Sequence, residues 1–177
     1  VEGLFAAGES DYQYHGANRL GANSLLSVIY SGTVAGPAAV EFAKDQTSGA
    51  ADLSADVMNQ EKETQDAWNN KLYNMNGYEN PHKIKQELAD IMSNDVYVVR
   101  ENKVLEKTDE RILELRERFL HCGLPDKTKW ANDQLLFMRQ LHHQFDLGRM
   151  VAGAALNRNE SRGAHYKPEF AKRNDKE

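Results

Sequence analysis

Arg19, His15 and Glu9 stand close together in a stretch that can hold an anionic or electron-rich ligand. A short apolar run, Gly3-Leu-Phe-Ala-Ala-Gly-Glu9, leads into His15-Gly-Ala-Asn-Arg-Leu-Gly-Ala-Asn-Ser-Leu-Leu26. Arg19 carries a planar guanidinium that can grip a carboxylate through two parallel hydrogen bonds. A helix is expected to begin at Asn23-Ser24. Its first backbone N–H groups lack intrahelical partners and favour phosphate, carboxylate or an electron-rich ring. Gly16 and Gly21 are the residues expected to turn the chain there. Asn18 and Asn23 read as turn or N-cap residues. His15 divides evenly between a ligand contact and a hydrogen bond that shapes the loop.

Other reactive side chains carry weaker signals. His142 and His143 are adjacent, so on a helix they point about 100° apart and do not converge on one ion; no metal site is assigned. Cys122, beside His121, has no partner pattern and reads as a buried, inert thiol.

The elements that position these residues are mostly helical. Residues 4–8 read as a short buried strand and 10–22 as loop. A helix follows from Ser24 to about Lys44, with Gly32, Ala35, Gly36 and Ala39 as a small-residue face and Pro37 expected to kink or restart it. Residues 45–52 form a linker. A second helix over 53–75 turns Val57, Trp68, Leu72 and Met75 inward and closes at Asn76-Gly77. A third runs from Pro81 to Met92 on Ile84, Leu88 and Ile91. Val96–Val99 is open between strand and helix. Thr108 reads as an N-cap for Ile112, Leu115 and Phe119, ending at Gly123-Leu-Pro125. The last helix spans about 128–156, with Trp130, Phe137, Leu141, Phe145, Gly148 and Ala152 as its inner stripe. Long amphipathic helices in series, without hairpin signals, imply a bundle. The expected organisation is residues 1–45 as one unit and 46–177 as a helical domain.

Composition narrows the partners. The 177 residues are 40% hydrophobic and 28% charged, with 27 acidic residues against 22 basic and a net charge of −5. That balance disfavours nucleic acid, which needs a concentrated basic surface. One cysteine permits no internal disulfide. No uninterrupted run of 18 apolar residues occurs, so no membrane span is expected. The chain begins with Val and enters a strand-like run at once, as expected of a piece of a longer protein.

His-Gly-Ala-Asn-Arg-Leu-Gly-x-Asn-Ser-Leu-Leu at 15–26, after Gly-Leu-Phe-Ala-Ala-Gly-Glu, resembles the flavoprotein subunit of succinate dehydrogenase and fumarate reductase. A second motif, Asn157-Arg-Asn-Glu-Ser-Arg-Gly-Ala-His165, matches the same family in the right order, and the wording Asn159-Glu-Ser-Arg-Gly-Ala-His-Tyr-Lys-Pro168 is most similar to bacterial quinone-linked members. The resemblance implies a mainly α fold: a C-terminal helical bundle, spectrin-repeat-like, preceded by the last strand–loop–helix of an FAD-binding α/β domain. It implies FAD as cofactor, succinate and fumarate as substrates, and an iron–sulfur subunit and membrane anchor as partners passing electrons to or from quinone. Such a protein would sit peripherally on the cytoplasmic side of the bacterial inner membrane. Glu9, Ser24 and Leu25 match positions that contact FAD, with Asn23 beside them. Arg19 matches the arginine that grips the dicarboxylate, with His15 in the same loop.

The family's remaining machinery falls outside these residues. No Gly-x-Gly-x-x-Gly is present. The flavin-attached histidine, the proton-transferring arginine and two substrate-contacting histidines lie upstream in the family, so no catalytic residue is assigned here, and the chain alone is expected neither to hold FAD well nor to turn over succinate. Glu160, Arg162 and His165 read either as catalytic or, preferably, as an ion-pair latch pinning the tail to the flavin domain or a neighbouring subunit. L-aspartate oxidase shares similar motifs at both ends, although Leu20-Gly21 after Arg19 is more similar to the succinate enzymes. A helical interaction module without a cofactor role is the alternative of a different class.

Overall fold

The computed structural model describes residues 1–11, 15 and 17–176. Among them lie five α-helices: α1 (Ser24–Lys44), α2 (Ala55–Asn74), α3 (Pro81–Ile91), α4 (Asn102–Phe119) and α5 (Asp133–Asn157). Their starts follow local chemistry. Ser54, Asn80 and Asn132 each accept a backbone N–H at the head of α2, α3 and α5, and Pro81 occupies the first turn of α3, where its missing N–H costs nothing.

The helices bury one continuous core. Leu72 and Met75 close α2, Ile84, Leu88 and Ile91 line α3, Ile112, Leu115 and Phe119 line α4, and Met138, Leu141 and Phe145 line α5. The α4–α5 pair is the most extensive packing in the chain. Gly148 permits it: a Cβ there would stand 3.3 Å from Met92 Sδ and 3.4 Å from Ile112 Cδ1. A smaller cluster of Val96, Leu105, Ala152 and Ala155 continues the core toward the tail. Ion pairs stitch the rims. Arg118 of α4 reaches Glu79 and Glu87, and Arg149 of α5 reaches Asp109 of α4.

Several expectations need correction. Residues 4–8 form no strand, and Gly8–Ser10 is a short 3-10 turn. A strand exists by pairing, and among the described residues none lies alongside to supply the ladder. Pro37 sits inside α1 without ending it. Thr108 does not start α4, which begins six residues earlier; it is buried mid-helix and donates its hydroxyl to Val104 O at 3.0 Å. A threonine can satisfy itself on the carbonyl four residues back as readily as it caps. The head of α4 is instead met by Glu169, whose carboxylate accepts the Asn102 N–H at 2.9 Å. The last helix starts at Asp133, so Trp130 falls before it and is 89% exposed. Val57 also faces solvent, because α2 packs only through its C-terminal half.

Val96–Val99 is neither strand nor α-helix. Met92–Val96 forms a π-helical turn, and Val99 then pairs with Tyr166 of the tail in a parallel bridge. α1 stands apart from the core. Only Ser27 and Ser31 of its residues are buried, while Leu25, Leu26, Val28, Ile29, Val34 and Val40 are exposed. By length and composition this helix is long and apolar enough to cross a membrane, although no unbroken 18-residue apolar run occurs.

Candidate site: the loop–helix corner and the tail motif

The corner around Arg19 is built on the first turns of α1. Gly8 donates its N–H to Ser31 Oγ at 3.1 Å, and the Ser31 hydroxyl donates in turn to Ser27 O. Ser27 Oγ gives its own proton to Ser24 O at 2.8 Å, so it accepts from His15 Nε2 at 2.9 Å. His15 is therefore tied to the first turn of α1. The serines on one face of α1 anchor the segment that precedes the loop, and Glu9 projects from that segment, exposed.

The chain turns into α1 at Ala22, not at a glycine. Ala22 has φ +69°, in the left-handed region, whereas Gly21 has an ordinary φ. Gly16 lies outside the described residues. Asn23 occupies the N-cap position but makes no side-chain cap. The first N–H groups of α1 thus face outward without a capping oxygen from Asn23, beside the half-buried Ser24 and the exposed Leu25. Arg19 is exposed, and its guanidinium bonds Leu20 O at 3.1 Å. That corner offers positive helix-end potential and a long-armed cation, with no carboxylate bonded to it among the described residues.

The tail motif assembles a second set of side chains. Glu160 is buried and receives Arg158 at 2.7 Å, Arg162 Nε at 3.1 Å on both oxygens, and the Asn174 N–H at 2.9 Å. Burial alone would push its carboxyl up, but the Asn174 N–H and the two guanidiniums outweigh it and hold the group at about 2. Arg162 continues to Asn174 O and Asp175, each at 2.9 Å.

His165 is 1% exposed, and burial lowers its pKa, so it is neutral. Arg100 Nη1 lies 2.6 Å from its Nδ1 and can only donate. Nδ1 is then the acceptor, and Nε2 carries the proton, given to Arg158 O at 3.1 Å. Arg100 itself is bonded to Val96 O through Nε, and its N–H to Tyr166 O. Lys167 is wholly buried and donates to Leu156 O at 2.8 Å and Asn159 Oδ1 at 3.2 Å, closing the C-terminal end of α5.

Arg100 carries no sequence signal as a partner of this motif, and Lys167 lies in the motif's wording without a role assigned to it. One follows an ambiguous apolar run and the other sits in a polar tail. A cleft of about 760 Å³ opens beside these groups, lined by Asn18, Arg100, Glu160 and His165 together with Met150 and Val151 of α5. The structure thus brings Glu160, Arg162 and His165 together and places Asn18 at their edge, while Arg19, Ser24 and Glu9 belong to the separate corner on α1.

The remaining candidates are quiet. His142 tucks its ring against Trp68 at 4.5 Å and Phe119 at 5.9 Å, whereas His143 is exposed. Cys122 is fully buried, and burial pushes its thiol up to about 11.

A family model described as the fumarate reductase flavoprotein C-term matches residues 85–177. The succinate dehydrogenase flavoprotein subunit of Bacillus subtilis (strain 168) is 48% identical, over 100% of this chain and 30% of its own length. Among solved structures, quinol fumarate reductase FrdA of E. coli superposes with a TM-score of 0.84 at 32% identity, over 99% of this chain and 30% of that one. A quinol–fumarate reductase with menaquinol molecules gives 0.83 at 34% identity and the same coverage. The chain therefore spans about 30% of the relatives it matches. With the family model covering more than half of its residues, and a mainly helical fold shared with these structures, the chain belongs to the fumarate reductase flavoprotein C-terminal family.

Proposed function

We propose that the chain is the C-terminal part of an FAD-dependent flavoprotein that interconverts succinate and fumarate. Residues 1–45 would complete the FAD-binding domain, and 46–177 would form its helical domain. The observation that carries this reading is the corner itself: an exposed guanidinium at Arg19 and, four residues on, a helix start whose N-cap Asn23 makes no side-chain bond.

The donor set fits a flavin. Ser24, Leu25 and the neighbouring Asn23 would meet its electron-rich edge with backbone N–H groups and the positive end of the α1 dipole, which carries roughly half a unit charge. Glu9 would contact the same cofactor from the segment held by Ser31. When bound, FAD supplies the hydride-accepting chemistry. Arg19 would hold one carboxylate of the dicarboxylate, fixing its carbon backbone in line for transfer. His15 would support that loop through Ser27, and no catalytic acid or base is assigned in these residues.

The relatives' printed names, succinate dehydrogenase and quinol fumarate reductase, support succinate and fumarate over L-aspartate and point to a quinone-linked complex. From the family resemblance of the two motifs, an iron–sulfur subunit and a membrane anchor are proposed as partners, with peripheral placement on the cytoplasmic side of the inner membrane. The apolar sides of α1 would be covered by the rest of the flavin domain rather than by lipid, since its serine face already anchors the Gly8 segment. Assay of the full-length flavoprotein with succinate against L-aspartate tests the reading. Turnover of succinate alone is expected; turnover of L-aspartate alone would replace it with the oxidase.

A further inference from the structure

The tail motif does more than fold back on itself: its turn reaches the residue next to Arg19. Arg162 and His165 exchange both backbone hydrogen bonds, Arg162 N–H to His165 O at 2.9 Å and His165 N–H to Arg162 O at 3.0 Å. Gly163-Ala164 is therefore a two-residue hairpin turn, and Gly163 has the φ of +59° that its first central position requires. The tip of the turn clasps Asn18 in both directions. Ala164 N–H donates to Asn18 O at 3.2 Å, and Asn18 Nδ2 donates to Ala164 O at 3.4 Å. The approach is so close that a Cβ on Gly163 would lie 2.1 Å from Asn18 O.

Both arms of this turn are immobilised. Arg162 is held by Glu160, Asn174 and Asp175, and His165 by Arg100 and the Arg158 carbonyl. Asn18 O belongs to the peptide that leads directly into Arg19. Its position, and so the starting point of the Arg19 side chain, is set by an element 146 residues away in sequence.

We infer that the Glu160–His165 turn is a positioning element for the substrate arginine: through Gly163, Ala164 and Asn18 it fixes the backbone from which Arg19 reaches a dicarboxylate. This rests on the reading of Arg19 as the carboxylate-gripping residue. A latch that merely secured the tail would alter stability and assembly. A positioning element alters the affinity for the dicarboxylate while flavin and chemistry persist.

The test uses the full-length flavoprotein in its complex, with steady-state succinate kinetics, competitive inhibition by malonate, and flavin content. Gly163→Ala should raise the succinate KM and the malonate Ki together by about tenfold, with kcat within about threefold and flavin per protein unchanged. Asn18→Ala removes only the side-chain half of the clasp and should move both constants the same way by a smaller factor; it decides the matter if Gly163→Ala does not assemble. Unchanged KM and Ki in an assembled variant would overturn the proposal, as would a loss confined to kcat. Arg19→Lys serves as the reference. If it has a normal KM, the reading of Arg19 fails; if its KM rises while the clasp variants stay normal, only the clasp fails.

Discussion

At the scale of single residues, environment decides which reactive groups are available. Cys122 is fully buried with its thiol pushed up to about 11, so a thiol reagent should leave it unlabelled in the native chain and modify it only on unfolding. Fast labelling under native conditions would contradict that burial. Glu160 and His165 make the tail acid-sensitive, and both contributions have the same sign. His165 has its pKa lowered from 6.5, so the stability of the neutral form is present above 6.5 and declines as pH falls below it. Glu160, held at about 2 against an ordinary 4.5, supplies stability above 4.5 that is lost as pH drops toward 2. Thermal melts are expected to fall from pH 6.5 downward and again below 4.5. Glu160→Gln should flatten the second decline; an unchanged acid limb in that variant would contradict the ledger of charges around Glu160. The residue types at this site were legible in sequence, but their partners were not. Nothing local announces that Arg100 will meet His165, since the contact depends on the tail crossing the end of α5.

At the scale of elements, the helices with a periodic apolar face were readable and their edges were not. Ile84, Leu88 and Ile91 mark α3 to within a residue, because its 3.6-residue stripe meets a core on one side only. Thr108 and Trp130 misled for one reason: a hydroxyl that can cap and an aromatic that can pack each have a second use, settled only by tertiary context. The α2–α3 connection gives an element-scale prediction. Gly77 donates its N–H to Cys122 O at 3.1 Å, and a Cβ there would lie 1.8 Å from His121 O. Gly77→Ala must therefore push apart the two loops that bridge at Asn76–Gly123 and Glu79–Cys122. It is expected to lower stability by about 1–3 kcal/mol in denaturant titration. A wild-type midpoint would show that these loops tolerate separation.

At the scale of the whole molecule, two parts differ in how they are held. α2–α5 share one buried core, whereas α1 keeps only Ser27 and Ser31 inside and leans on the Gly8 turn. In this 177-residue chain, the amides of α1 are expected to exchange with deuterium much faster than those of α4 and α5, since few buried contacts oppose its opening. Equal protection would mean that α1 is secured by the chain itself and needs no further covering. The fold class was legible because helix periodicity is local. The proposed division near residue 45 rests on composition, where glycine gives way to long charged side chains. The extended 4–8 run read as a strand because its apolar pattern suits one, yet strand character depends on a neighbour that these residues do not supply.

The central claim is that Arg19 and the uncapped start of α1 are the two faces of one flavin and dicarboxylate site. Arg19→Ala in the full-length flavoprotein tests it most directly, with flavin content and succinate turnover measured on the same preparation. The account predicts flavin retained at the wild-type ratio, succinate turnover reduced by about 100-fold or more, and the malonate-induced change in the flavin spectrum abolished. Wild-type turnover with an intact malonate response would contradict it.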